Sequence, residues 1–285
     1  MSLRSILPIA ALVTVIGCSA DPVAPNHLKP DLSFGGGTNS PPTVHITAPA
    51  YGQLFGFTSP AGALVNLVAT IGDPDTGDTH LCLIDWNGAT STGLVVESSG
   101  SGTCTGSNTY ATPGVYTIRA TVTDPSGASA TDSVMIVVYD PSSGFVTGGG
   151  WINAAPGSYP ADPTLSGKST FGLVAKYKNG ATTPDGNTEF QFHAAGMNFH
   201  ATSYDWLVVA GSKAQYKGVG TINGAGSYRF MMTLIDGQVS GGGGLDRLRM
   251  KIWDPSGVVF DNQMGAADGD DPATALAGGS IVIHK

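Results

Sequence analysis

The chain has 285 residues, of which only 12% are charged and 41 are glycine, and its formal net charge is −8 at pH 7. The length suits about two domains, and the negative charge argues against a nucleic-acid partner because no basic surface is available to neutralise phosphates. Sparse charge with many glycines is typical of short strands joined by tight turns, so we expect an all-β protein.

The N-terminus has the layout of a bacterial export signal. Arg4 precedes an apolar run, Ile6 to Ile16, that is too short to cross a bilayer. The stretch Val15-Ile16-Gly17-Cys18 resembles a lipobox, which implies cleavage after residue 17 and lipidation of Cys18. We therefore predict a signal peptide at 1–17, a flexible Pro- and Gly-rich tether at 18–41, and a lipid anchor in the bacterial cell envelope, at the outer membrane or cell surface.

The remaining two cysteines form an even pair. With Cys18 assigned to lipid, Cys82 and Cys104 would lie in an oxidising compartment, where a disulfide is the natural expectation. Closing the intervening loop would stabilise the fold by roughly 3 kcal/mol. The alternative is two buried free thiols.

Residues 42–140 are predicted to form the first domain. Apolar residues alternate with polar ones over 65–71 and again over 115–123, a period of two that indicates strands with one buried face. Turn sequences such as Asn87-Gly88 and Pro113-Gly114 separate the strands. Short strands at this spacing predict a β-sandwich.

Two stretches of this domain resemble the PKD family. Tyr110-Ala111-Thr112-Pro113-Gly114-Val115-Tyr116-Thr117-Ile118 carries most of the resemblance. Ile84-Asp85-Trp86-Asn87-Gly88 meets only part of the family's aromatic-Asp-aromatic strand and Gly-Asp-Gly turn. The resemblance implies an immunoglobulin-like sandwich of a kind that serves as a spacer or a binding module in secreted proteins.

A second domain is predicted at 145–285. Apolar residues alternate over 228–234 and 248–252, no segment carries a helical apolar stripe, and glycine-containing turns recur. We expect a second all-β domain, either a sandwich or a barrel-like roll. Its opening, Gly148-Gly149-Gly150-Trp151-Ile152, resembles an uncharacterised β-rich module that follows PKD-like domains in bacterial secreted proteins, and this implies no activity.

Calcium is the cofactor that the sequence favours. One tight turn holds Asp73, Asp75 and Asp78, and a second stretch holds three more carboxylates, at Asp268, Asp270 and Asp271. Calcium takes six to eight oxygen ligands, several of them from one glycine-containing loop. The alternative is that both stretches are solvated acidic turns.

Aromatic and basic residues of the second domain give two binding hypotheses. Four aromatic residues could stack on sugars or pack in the core: Trp151, Tyr204, Trp206 and Trp253. Arg247, Arg249 and Lys251 alternate along one predicted strand, either as a small anion-binding patch or as its solvent-facing side.

Three functions remain open, and the third of them is a purely structural envelope component with no ligand. The first is a lipid-anchored, non-enzymatic envelope protein in which a PKD-like spacer presents the second domain to a glycan or an envelope protein. The second is an envelope hydrolase with its site in the second domain, for which His200 and Asp205 are the best candidates, although no Gly-x-Ser-x-Gly stretch is present.

Overall fold

The structure is a computed structural model that describes residues 39–285, and these form one compact unit. The predicted signal peptide, Cys18 and nearly all of the predicted tether lie outside the described residues. Eighteen strands and one 3-10 helix, His193–Ala195, make up the regular structure of this part of the chain, which confirms the all-β class. No helix in residues 39–285 is long and apolar enough to span a membrane.

The first nine strands form a two-sheet sandwich. They are β1 (Thr43–Ala48), β2 (Gln53–Gly56), β3 (Ala63–Gly72), β4 (Leu81–Asp85), β5 (Thr90–Thr92), β6 (Leu94–Ser98), β7 (Ser101–Tyr110), β8 (Gly114–Thr123) and β9 (Ser129–Tyr139). One sheet has the order β1-β3-β7-β6 and the other β2-β9-β8-β4-β5. The predicted alternation is confirmed, since Val65, Leu67 and Ala69 on β3 face a core shared with Ile118 and Ala120 on β8.

A disulfide joins the two sheets of this sandwich. Cys82 on β4 and Cys104 on β7 lie in opposite sheets, and their sulfur atoms are 2.00 Å apart. Both side chains are buried in the sandwich core. The predicted pairing is therefore confirmed, and the free-thiol alternative is wrong.

The last nine strands form one continuous sheet. They are β10 (Phe145–Ala154), β11 (Gly167–Tyr177), β12 (Pro184–Phe192), β13 (Met197–Ala210), β14 (Lys213–Ile222), β15 (Ala225–Ile235), β16 (Arg247–Asp254), β17 (Gly257–Asp261) and β18 (Gly278–His284). Strands β10 to β17 pair in chain order, and β18 returns to pair with β10. All nine strands bury one face in a single core, where the rings of Phe190 on β12 and Phe260 on β17 approach to 4.9 Å.

Two carboxylates close this sheet on itself. The backbone N–H groups of Ile281 and Ile283 on β18 donate to Asp246 and Asp236, which flank the β15–β16 connection. These two backbone N–H groups point away from β10, and the carboxylates give them the hydrogen-bond acceptors that an edge strand otherwise lacks. Of the two architectures expected for this region, the observed one is a rolled sheet around one core.

The sandwich and the rolled sheet share an apolar interface. Met135 and Val137 on β9 pack against Trp206, Val208 and Met231 on the outer face of the rolled sheet, and all five side chains are buried. We call this cluster the junction core. It holds the two halves together in addition to the chain connection at 140–144.

Candidate functional site

A cleft of about 460 Å³ opens beside the junction core. Its floor is the outer face of strands β14 to β17, and its walls are the β1–β2 connection and the segment that follows β17. The lining residues are Tyr51, Lys217, Arg229, Lys251, Trp253, Gly257, Val258 and Asp268. Both halves of the molecule therefore contribute side chains to one concave surface.

Strand register explains why the cationic side chains meet here. Lys217 on β14 pairs with Met231 on β15, and Met231 pairs with Lys251 on β16, so these three side chains share the outer face. Two residues farther along each strand, Arg229 on β15 pairs with Trp253 on β16, and both side chains lie on the same outer face. Because Met231 belongs to the junction core, the two lysines lie at the border of a buried apolar region.

The ring of Trp253 orients both lysines. The Nζ atoms of Lys217 and Lys251 lie 5.7 and 5.4 Å from its ring centroid. Ammonium groups at this distance are attracted to the ring electrons of tryptophan. The indole is only partly buried, so one aromatic surface holds two cations at the edge of the cleft.

Asp268 connects the two walls. Its carboxylate accepts a hydrogen bond from Lys251 Nζ at 2.6 Å and another from Tyr51 Oη at 2.5 Å. Burial by itself would raise the pKa of Asp268, but these hydrogen bonds and the charges of Lys251 and Arg249 outweigh it, so that the pKa lies below its ordinary value. Burial, followed by the same contact with Asp268, raises the pKa of the Tyr51 hydroxyl. Asp268 is therefore ionised at neutral pH and committed to these partners.

Arg249 holds the segment that follows β17, which forms one wall of the cleft and which we call the wall segment. Its guanidinium is 1% exposed and binds the Asp261 carboxylate through two hydrogen bonds of 3.0 and 2.8 Å. It also donates to the carbonyl oxygens of Ala266 and Ala267, directly before Asp268. Arg249 is therefore neither part of an open anion-binding patch nor on the solvent-facing side of its strand, because its guanidinium is buried and bonded to internal groups.

Lys217 is the cation of the cleft without a partner. Within residues 39–285 its ammonium makes no hydrogen bond or salt bridge, whereas Arg229 lies 3.8 Å from Asp205 and Lys251 binds Asp268. Burial lowers the pKa of Lys217. The charges of Asp205 and Asp268 raise it and those of Arg229 and Lys251 lower it, and the net shift is downward. The cleft therefore presents an unneutralised positive charge.

The four predicted aromatic residues do not form one platform. Trp253 lines the cleft, but Trp206 belongs to the junction core and Tyr204 to the core of the rolled sheet. Trp151 lies on β10, among the strands farthest from Trp253 in the sheet order, with Lys168 Nζ 5.1 Å from its ring centroid. Burial thus removes two of the four from any open surface, as the core-packing alternative had anticipated.

The first acidic turn gains a ligand that the sequence did not reveal. Asp73 and Asp78 meet Asp124, and one oxygen from each lies within 4.8 Å of the others. Asp75 instead accepts a hydrogen bond from the Ser40 backbone. In the sequence, Asp124 is recognisable only as the residue before a Pro-Ser-Gly turn. It meets the acidic turn because Leu81 on β4 pairs with Thr123 on β8, and residue spacing could not predict this pairing.

The second acidic stretch is dispersed. Asp268 binds Lys251 and Tyr51, Asp270 accepts the Ala267 backbone N–H, and Asp271 forms a 2.9 Å salt bridge with Lys213. The only group of three ligating side chains found in the described part of the chain is Asp73, Asp78 and Asp124. These three carboxylates do not converge on one point, because each is used by a different partner, and a calcium site at 268–271 stays a prediction.

The two residues of the hydrolase hypothesis also have separate partners. His200 Nδ1 lies 3.6 Å from Glu189 on the exposed face of the sheet, and Asp205 lies beside Arg229. No hydrogen bond links His200 to Asp205 within residues 39–285. The structure thus does not bring them together as a base and its orienting acid.

Tyr51, Lys217 and Arg229 were not identified from the sequence. Lys217 and Arg229 lie singly between small or apolar residues, and Tyr51 lies in a short connection between two strands. The only sequence signal was Tyr51 itself, an aromatic residue in a turn beside Gly52.

No known protein-family model matches this chain, and no curated protein was found to be similar to it.

Proposed function

We propose that this protein is a lipid-anchored, non-enzymatic component of the bacterial cell envelope that binds a glycan in the cleft beside the junction core. The observation that carries the proposal is the cleft itself, in which Trp253 lies among hydrogen-bonding side chains from both halves of the chain. A volume of about 460 Å³ is within the usual range of small-ligand sites, and such sites are frequent where two domains meet.

The lining has the chemistry that sugars require. A sugar ring presents C–H groups, which pack on apolar surface, and hydroxyl groups, which need donors and acceptors. Trp253 and Val258 supply apolar surface, while Tyr51, Arg229 and Asp268 supply polar groups. Since the junction core holds the two halves in contact, little ordering of the protein is needed on binding.

Export agrees with the sulfur chemistry of the chain. The disulfide between Cys82 and Cys104 is of the kind that persists outside the cytoplasm. The lipobox resemblance at Val15 to Cys18 supplies the anchor in this proposal. The PKD-like sandwich would then do more than act as a spacer, because Tyr51 from its β1–β2 connection forms part of the cleft wall.

Binding is favoured over hydrolysis by the acid–base groups of the cleft. Glycoside hydrolysis generally uses two carboxyl groups, one of which donates a proton. Asp268 is the only carboxylate among the lining residues, and its ion pair with Lys251 and its lowered pKa keep it deprotonated. Such a group is suited to fixing the cleft wall or accepting a hydroxyl, and unsuited to donating a proton at neutral pH.

A glycan array followed by calorimetry tests the proposal. The full-length chain in detergent is screened, and the best glycan is titrated into the wild type, Trp253→Ala, Tyr51→Ala and Trp151→Ala. We expect the two cleft variants to weaken binding by about tenfold or more. Tyr51 is 61% exposed, so its removal leaves the core intact even if Trp253→Ala folds poorly.

Two results would overturn this assignment. One is an array on which no glycan binds above background. The other is binding that is lost in Trp151→Ala and kept in Tyr51→Ala, which would move the site to the opposite end of the sheet.

We also propose a structural calcium ion in the sandwich, held by Asp73, Asp78 and Asp124. Burial, followed by the charges of Asp73, Asp75 and Asp124, raises the pKa of Asp78. His80 Nε2 lies 2.9 Å from the Asp73 carboxylate, but within residues 39–285 no such contact reaches Asp78. The three converging carboxylates repel one another, and calcium prefers such oxygen ligands. The ion would tie the β3–β4 connection to the end of β8.

Thermal melting with calcium or with a chelator tests the ion. We expect calcium to raise the melting temperature of the wild type and to leave Asp78→Asn unchanged. In chelator, Asp78→Asn should melt no lower than the wild type, because it loses a repulsive charge. Asp254→Asn, in a turn of the rolled sheet, is the control and should keep the full calcium response. Superimposable wild-type curves would dismiss the ion.

A further inference from the structure

We infer that the glycan bound in the cleft is acidic, with a sugar carboxylate lying between Lys217 and Arg229. This inference rests on the proposed function and deepens it by naming the ligand class. It is carried by the distribution of charge and of binding partners in the cleft.

The charges of the cleft are unbalanced. Its lining holds three cations, Lys217, Arg229 and Lys251, and one carboxylate, Asp268. Asp268 is bound to Lys251, and Asp205, outside the lining, reaches Arg229 only at 3.8 Å. Lys217 forms no salt bridge in residues 39–285, although the more distant charges of Asp205 and Asp268 act on it. A positive site on a chain of net charge −8 attracts an anion locally although the whole protein does not.

One anionic group can reach both Lys217 and Arg229. Lys217 and Arg229 are on neighbouring strands and the same face, and Arg229 is two residues from Met231, the direct partner of Lys217. Such diagonal neighbours are about 7–8 Å apart at the backbone, within reach of two long side chains. Arg229 can bind a carboxylate with two parallel hydrogen bonds, while Lys217, held near Trp253, adds a point charge.

The rest of the cleft favours a sugar acid over a free inorganic anion. Trp253, Val258 and Gly257 lie beside the cations, and a phosphate ion has no apolar face to place against them. A uronic acid carries its carboxylate on a ring whose C–H groups would cover this surface. The lowered pKa of Lys217 agrees with a desolvated cation that lacks a salt bridge, which such a carboxylate would supply.

Matched acidic and neutral saccharides test the inference. Oligogalacturonate and a glucuronate-containing oligosaccharide are titrated into the full-length chain beside their methyl esters, which keep the rings and lose the charge. Inorganic phosphate is the third probe. We expect one of the acids to bind at least about tenfold more tightly than its ester, and its affinity to fall as salt is raised.

Variants then assign the charge recognition to residues. Lys217→Met should reduce the affinity for the acid by a larger factor than the affinity for its ester, and Arg229→Met should act in the same direction. Lys168→Met is the matched control, because Lys168 also lies over a tryptophan but outside the cleft. It should retain the preference for the acid.

The outcomes separate the inference from the proposed function. Equal affinity for acid and ester, or array binding confined to neutral glycans, overturns the acidic ligand and leaves glycan binding standing. Phosphate binding as tight as that of the acids overturns it in favour of a simple anion site. An array with no glycan bound ends both.

Discussion

The outer face of the rolled sheet carries two tryptophans with lysines over their rings, one lysine at Trp151 and two at Trp253, and the two regions differ in what covers them. At one end Lys168 lies over Trp151 on strands β10 and β11. At the other end Lys217 and Lys251 lie over Trp253 on strands β14 to β16. The local chemistry is alike, but only the second region is enclosed, because the sandwich and the segment after β17 form walls around it.

The surroundings in the open region are those of an ordinary exposed sheet. Glycines at 149 and 172 are exposed and leave a shallow surface, and Glu189 and His200 form a solvent-exposed pair. Exposed ion pairs contribute little to stability, about 0–1 kcal/mol. In the enclosed region, by contrast, a buried Arg249–Asp261 ion pair, the Asp268 contacts and an unpartnered Lys217 are concentrated. In this protein, cover by distant chain segments distinguishes a binding site from an open surface, whereas residue type does not.

The largest expected effect is on Arg249. Arg249→Met leaves Asp261 buried without its partner and frees the carbonyl oxygens of Ala266 and Ala267. Breaking a buried pair in this way costs about 3–5 kcal/mol of unfolding free energy. Urea unfolding measures it. Lys168→Met, in the open region, should change stability by less than about 0.5 kcal/mol. A loss below about 1 kcal/mol for Arg249→Met would mean that the wall segment is held by other contacts.

Substitution of Lys217 is expected to stabilise the folded protein, by less than the substitution of Arg249 destabilises it. Methionine keeps much of the side-chain volume and removes a desolvated cation, so Lys217→Met should raise the melting temperature by roughly 2–4 °C. The same substitution at Lys168 should leave it unchanged, because that ammonium is exposed. Differential scanning calorimetry without ligand measures both. A lower melting temperature for Lys217→Met would show that its charge is compensated in the free protein, which would blur the contrast between the two regions.

The smallest expected effect is the change in unfolding free energy with pH that Asp268 contributes. The pKa of Asp268 is lowered in the folded protein, so its stabilising contribution is complete above the unfolded value of about 3.9 and is lost as pH falls through the lower, folded value. The stability difference between wild type and Asp268→Asn in urea unfolding should therefore be full at pH 5 and shrink as the pH is lowered below about 3.9.

Asp185→Asn provides the open-region comparison for this acid dependence. Lys178 lowers the pKa of Asp185, but both groups are exposed to solvent and screened by it. Its stability difference from wild type should be the smaller of the two. A larger difference at Asp185 than at Asp268 would contradict the view that the cleft wall depends on a partly buried contact.

Local patterns in the sequence predicted most of the fold. Alternation identified the strand over 115–123 and the strands that carry Phe230 and Met250, because a side-chain period of two is a local property of the strand. Cysteine counting identified the disulfide. The same methods could not show that β10 to β18 form one rolled sheet, since its closure depends on Asp236 and Asp246 meeting the distant edge of β18.

The candidate site was only partly accessible to the same reasoning. Trp253 was identified as an aromatic residue beside a strand, and Lys251 as one of three alternating cations, but Tyr51 comes from the other half of the chain. Arg249 shows the reason most directly. Its place in the alternation predicted a solvent-facing or anion-binding side chain, yet it is buried beneath the segment that follows β17.

By itself, then, the sequence determined the all-β class, the main strands and the Cys82–Cys104 bridge, because each follows from a period or a count that a short stretch contains. Only the tertiary structure decided which outer faces are covered, which carboxylates meet and which cation is left without a partner. A strand's pattern specifies which side chains share a face, whereas the burial and charge balance of that face depend on chain segments far away in sequence.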